Sequence, residues 1–193
     1  MKNTLRIVLL TILFAACDKP LPPPPVVKNP EMHYVDFGNK SIAFGGYLRA
    51  DLDNDAHFDL SFTTMILGDP ITQSDRKQYL LNFGLDTYNP VNAEEKTPVL
   101  AKGAVISDNA FSGYNWYNAS QIMLSQKVIT ATSERWEGDW KNADHQYIAL
   151  CILKNNSRHY GWVEISFNTE TAKLTVHRSG VSKTPEKPVL AGS

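Results

Sequence analysis

Apolar and polar side chains alternate along much of the chain, and the alternation has the period of strands. Phe58, Leu60, Phe62 and Ile66 fall on one side of residues 58–67, the spacing of a half-buried β-strand. Residues 147–153 are instead continuously apolar, which predicts a central strand buried on both faces. Val163, Ile165 and Phe167 share one face of residues 159–167, opposite Tyr160, Trp162 and Glu164. Leu174 and Val176 resume the pattern after a turn, and Asn155-Asn156-Ser157 suits a hairpin loop between two such runs. Helix signals are few. Residues 118–127, with Asn118 or Ser120 as cap, read equally as a helix or a strand. The pattern predicts an all-β fold, an antiparallel β-sandwich with at most one short helix, over residues 31–193.

The N-terminus follows different rules. Lys2 and Arg6 precede a ten-residue apolar run, 7–16, about half the length a membrane-spanning helix needs, so it reads as a signal peptide. The run ends in Leu13-Phe14-Ala15-Ala16-Cys17, which resembles the lipobox of bacterial lipoproteins. That resemblance implies cleavage before Cys17, acylation of its thiol and amino group with chains such as palmitate, and a membrane as partner. It also implies a place in the cell envelope. Asp18 beside the cysteine resembles sorting signals, and the outer membrane is the expected site. Residues 17–30 include the four consecutive prolines Pro22 to Pro25, which favour an extended, semi-rigid stalk.

Charge and cysteine content narrow the function. Lys and Arg total 19 against 20 Asp and Glu in 193 residues, a formal net charge of -1. No basic excess exists to neutralise phosphates, so nucleic acid is not an expected partner. Two cysteines exclude a disulfide scaffold and a four-cysteine zinc cluster. Cys151 lies within the apolar run and is expected to be a buried, quiet thiol.

One segment carries a chemical signal. Asp51-Leu52-Asp53-Asn54-Asp55-Ala56-His57-Phe58-Asp59 places carboxylates at loop positions 1, 3, 5 and 9. Such a compact anionic loop suits Ca²⁺, which takes six to eight oxygens at about 2.3–2.6 Å. The expected ligands are Asp51, Asp53, Asp55 and Asp59, with the backbone carbonyl of His57 at position 7. The loop resembles the D-x-D-x-D-G-x-x-D loops of FG-GAP-type repeats and dockerins. It departs from them at position 6, where Ala56 replaces the usual glycine. If that position needs a positive φ, alanine costs on the order of 1 kcal/mol.

A wider likeness runs from Tyr47 to Gly192. Trp136-Glu137-Gly138, Tyr147-Ile148-Ala149-Leu150, His159-Tyr160-Gly161-Trp162-Val163 and the ending Val189-Leu190-Ala191-Gly192 resemble secreted or anchored β-proteins, often of Bacteroidetes, of unassigned function. This resemblance implies a fold and a location without catalytic residues. Trp136, Trp140, Tyr160 and Trp162 are candidates either for core packing or for a sugar-stacking platform, with Tyr160 and Trp162 the possible ligand-binding pair. Enzyme motifs are weak. Ser74-Asp75-Arg76-Lys77 and Ser107-Asp108-Asn109 imitate β-lactamase motifs, but no K-T-G accompanies them. The expectation is a non-catalytic, calcium-binding envelope module that takes a glycan or a protein. The alternative is a small glycoside hydrolase using two carboxylates such as Glu137 and Glu164.

Overall fold

The computed structural model describes residues 28–118 and 121–193. The leader, Cys17, most of the stalk, and Ser120 lie outside the described residues. Thirteen strands follow one another: β1 (Met32–Ala43), β2 (Leu48–Ala50), β3 (Leu60–Asp69), β4 (Ser74–Phe83), β5 (Thr87–Val91), β6 (Val105–Ile106), β7 (Asn115–Tyr117), β8 (Gln121–Ile129), β9 (Glu134–Glu137), β10 (Gln146–Lys154), β11 (Ser157–Asn168), β12 (Lys173–Ser182) and β13 (Val189–Leu190). They form a six-stranded sheet in the order β1-β12-β11-β10-β5-β7, a five-stranded sheet β2-β3-β4-β8-β9, and the small pair β13-β6. All pairings are antiparallel. The fold is an all-β sandwich, with no helix among the described residues. Of the ambiguous segment 118–127, residues 121–127 belong to β8, in which buried Ile122 and Leu124 flank the more accessible Met123.

Two cores share the central sheet. Between the large sheets lie Ile148, Leu150, Ile152, Val163, Ile165, Phe167, Leu174 and Val176, facing Leu60, Phe62, Tyr79, Leu81, Phe83, Ile122 and Leu124. On the outer side of the six-stranded sheet Tyr147, Ala149, Cys151, Tyr160 and Trp162 pack with Met32, Leu100, Ile106, Val189 and Ala191. The continuous apolar run of β10 is thereby explained: its odd and even residues serve different cores. Of the two readings open for Tyr160 and Trp162, the structure gives core packing rather than an exposed platform. Their side chains are 1% and 0% exposed because the β6–β13 pair and the C-terminal tail cover that face.

A β-bulge in β12 changes the use of the outer face further along. Glu164 pairs with Arg178 but Ile165 with Val176, so His177 is the extra residue. One inserted residue reverses the inward–outward alternation. Leu174 and Val176 therefore point inward before the bulge and Val181 after it. Both His177 and Arg178 flank Glu164.

Candidate metal centre

The Asp-rich segment is the connection between β2 and β3, whose last ladder pair is Ala50 with Leu60. The Asp59 N–H donates to the Ala50 carbonyl at 2.9 Å, which closes the loop at its base. Leu52, fully buried, pins the loop's first turn into the core. From opposite ends of this loop the carboxylates of Asp51, Asp53 and Asp59 converge, each offering an oxygen within 4.8 Å of the others.

Each carboxylate sits in a different environment. Asp51 acts as the loop's internal cap. Its Oδ1 accepts the Asn54 N–H at 2.7 Å and, at 3.3 Å, those of Asp53 and Asp55, while Oδ2 accepts the Ala56 N–H at 2.8 Å. Burial works to raise the Asp51 pKa, but these four donors overcome it and hold the carboxyl below its usual range. Asp59 behaves oppositely. Burial foremost, then the charges of Asp53, Asp55 and Asp51, push it up to about 7, although its Oδ2 accepts the Leu52 N–H at 2.6 Å.

The Asp53 side chain is 3% exposed, and neither oxygen accepts a well-directed hydrogen bond among the described residues. Its one partner among the described residues is the Lys154 ammonium, 2.5 Å from Oδ2. A buried carboxylate with so few donors costs several kcal/mol unless a cation compensates it.

The side chains of Asp55 and His57 stand outside this cluster. Asp55 is about half exposed, and its Oδ1 accepts the His57 N–H at 2.8 Å. The His57 side chain is 87% exposed, with Nδ1 3.4 Å from that same oxygen. The reason is backbone geometry: Asn54 and Ala56 have φ of 62° and 70°. A chain that turns through two left-handed residues does not aim every second side chain the same way. Ala56 therefore occupies the conformation for which related loops use glycine.

Beside the cluster opens a cleft of about 760 Å³, lined among others by Arg49, His57, Phe58, Leu85 and Lys154. Phe58 lies under the Arg49 guanidinium, 4.3 Å from ring centroid to Cζ. Gly84 supports the floor: its N–H donates to the Asp59 carbonyl at 2.6 Å, and a Cβ there would meet the Phe58 carbonyl oxygen at 2.4 Å.

A second polar cluster occupies the outer face at the β12 bulge. The Glu164 carboxylate, 7% exposed, meets His145 Nδ1 at 2.6 Å and accepts the Arg178 Nε–H at 2.8 Å. The His145 and His177 rings stack with centroids 4.2 Å apart. Burial opposes ionisation of Glu164, but hydrogen bonds from Arg178 and His145 hold its pKa low.

Glu137, the other half of the carboxylate pair named for the alternative hydrolase reading, lies on the other sheet. It is bound by Gln126, Arg135 and Arg76, and its pKa too is lowered, the Gln126 hydrogen bond being the largest cause. Neither carboxyl has the raised pKa of a general acid. Cys151 is buried and free, its thiol pushed up to about 12 mainly by burial.

Lys154 escaped the sequence reading because nothing links it to Asp53 before the chain is folded. The described geometry defines a β-sandwich with an acidic cluster of the kind that holds a metal ion. Comparison with family models, curated proteins and solved structures yields no match.

Proposed function

We propose that this chain is a cell-envelope lipoprotein whose β-sandwich binds Ca²⁺ through Asp51, Asp53 and Asp59, and that the filled loop shapes the adjoining cleft for a glycan or protein ligand. The observation that carries the reading is the Asp53 carboxylate, 3% exposed, met by the Lys154 ammonium but by no directed donor among the described residues, and within 4.8 Å of two further carboxylates. Three carboxylates, bound singly or through both oxygens, supply three to six oxygens, and loop carbonyls and water complete the set. The role is structural. All three acids are consumed as ligands, and the loop fixes the entry of β3 into its sheet. Lys2, Arg6, the apolar run and Leu13–Cys17 support the lipid anchor.

Extracellular modules bind Ca²⁺ at about 10⁻⁴–10⁻³ M. At ten times such a constant, binding adds about 1.4 kcal/mol, a rise in Tm of a few degrees. Titration calorimetry with CaCl₂ and thermal melts with and without EDTA test this, with Asp53→Asn expected to abolish both signals. No heat of binding and no shift in Tm at millimolar Ca²⁺ would reject the metal reading. For the anchor, Cys17→Ser should move the protein out of the membrane fraction; unaltered fractionation would reject lipidation.

A further inference from the structure

The Lys154 ammonium stands against one oxygen of the Asp53 carboxylate, on the cleft side of the acid cluster. Nζ lies 2.5 Å from Asp53 Oδ2, within the 2.3–2.6 Å at which Ca²⁺ sits from a carboxylate oxygen. The lysine is not on a mobile loop. It ends β10 and pairs with Ser157 across Asn155 and Asn156, whose φ of 50° and 60° make a tight two-residue turn. Its side chain is 37% exposed and lines the cleft, so it touches one member of the acid cluster, Asp53, and has an exit to solvent.

Given the calcium reading above, on which this rests, we infer that Lys154 is a tethered competitor for the metal: its ammonium neutralises Asp53 in the metal-free protein and must leave when Ca²⁺ binds. Two cations cannot share one oxygen at this distance without strong repulsion. The apparent affinity is then the intrinsic affinity divided by the cost of displacing the ammonium, as for any site whose competent state is only partly populated. The lysine thus has two effects. It preserves the loop when calcium is scarce, and it sets the concentration at which calcium takes over. Displaced, it puts a positive charge into the cleft beside Arg49, so metal binding alters the cleft's charge as well as its shape.

The experiment compares the full chain with its Lys154→Met and Lys154→Arg variants, by calorimetry with CaCl₂ and melts in EDTA. Lys154→Met is expected to bind Ca²⁺ about tenfold tighter or better, while melting lower in EDTA. Lys154→Arg keeps the charge and should bind no tighter than the parent. In the parent, amine labelling read by mass spectrometry should show Lys154 becoming more reactive on adding Ca²⁺, with exposed Lys102 unchanged. That readout does not depend on a variant folding.

Tighter binding by Lys154→Met together with calcium-induced labelling supports the inference. Binding by Lys154→Met alone, with none by the parent, also supports the competition but overturns the calcium function of the natural chain. Equal or weaker binding by Lys154→Met, or Lys154 labelling indifferent to Ca²⁺ in a parent that binds it, overturns the competition and leaves the calcium function standing. No binding by any of the three overturns both.

Discussion

Trp162→Ala separates a core tryptophan from a ligand platform. The ring is 0% exposed. It meets Tyr147 edge-on with centroids 5.5 Å apart, and Tyr34 at 6.2 Å. The Arg178 guanidinium lies 5.2 Å from its centroid, and the ring sits so close over Gly180 that a Cβ there would be 2.9 Å away. A tryptophan buries about 150–250 Å², which at about 25 cal/mol per Å² is roughly 4–6 kcal/mol as an upper estimate. Measured losses for such truncations are about 3–5 kcal/mol, and we expect about 4. For a domain of this size the Tm should fall on the order of 10 °C.

Trp162→Phe sharpens the test. The indole Nε1 finds no hydrogen-bond partner among the described residues, and a buried orphan donor costs about 1–3 kcal/mol. Deleting it offsets part of the lost ring area, so Phe should cost about 1 kcal/mol or less. Urea melts followed by circular dichroism read both variants without relying on the substituted fluorophore. A Trp162→Ala protein within about 1 kcal/mol of the parent, or a Phe variant as damaged as the Ala variant, would refute the packing argument.

Ala56→Gly should stabilise the protein in EDTA by roughly 0.5 kcal/mol, because relief of about 1 kcal/mol at φ 70° outweighs the larger entropy of an unfolded glycine; a lower Tm would refute this. His177 has its pKa lowered from 6.5, chiefly by burial and then by the charge of His145. The unfolded chain thus binds that proton first, and stability is lost as pH falls from 6.5 towards the folded value. Glu164, lowered from 4.5, adds a second loss as pH falls through its own folded value. Urea melts between pH 7 and about pH 2 should show both stages, and His177→Gln should flatten only the first. Cys151 should resist thiol reagents at pH 8 in the folded protein and react fully in urea; fast labelling of the native state would contradict its burial.

The strands were legible where one rule governed them. β10 reads correctly from its unbroken apolar run, and Val163, Ile165 and Phe167 face the inter-sheet core as their spacing requires. On the same logic Ile66 was placed on one face with Phe58, Leu60 and Phe62, yet it is 54% exposed while Leu60 and Phe62 are buried. The β3–β4 ribbon simply outruns the opposing sheet, and alternation carries no information about where a partner layer ends. Tyr160 and Trp162 were open to both readings because their cover consists of two-residue strands and a tail, too short to leave a periodic signal. The acid loop was visible as composition, and its convergence was recovered for Asp51, Asp53 and Asp59. Asp55 was misplaced because the left-handed turns at Asn54 and Ala56 interrupt the alternation. The partners of Glu164 depend on the bulge at His177, which no local residue pattern announces.

The pairing of β1 with β12 has a consequence in time. Met32 lies opposite Ser182, so the first long strand can form its ladder only with the last one. Val189 and Ala191, later still, close the outer core over Tyr147 and Trp162. Loop closure on this scale is slow and comes late. While a chain is being made, the hairpins β3–β4 and β10–β11 have their neighbours at hand, but the edge strand waits with its hydrogen-bonding groups unpaired. The sandwich therefore stays open to capture by chaperones until nearly its whole length is available. Closure is then a single event, and it begins and ends at the same edge of the sheet.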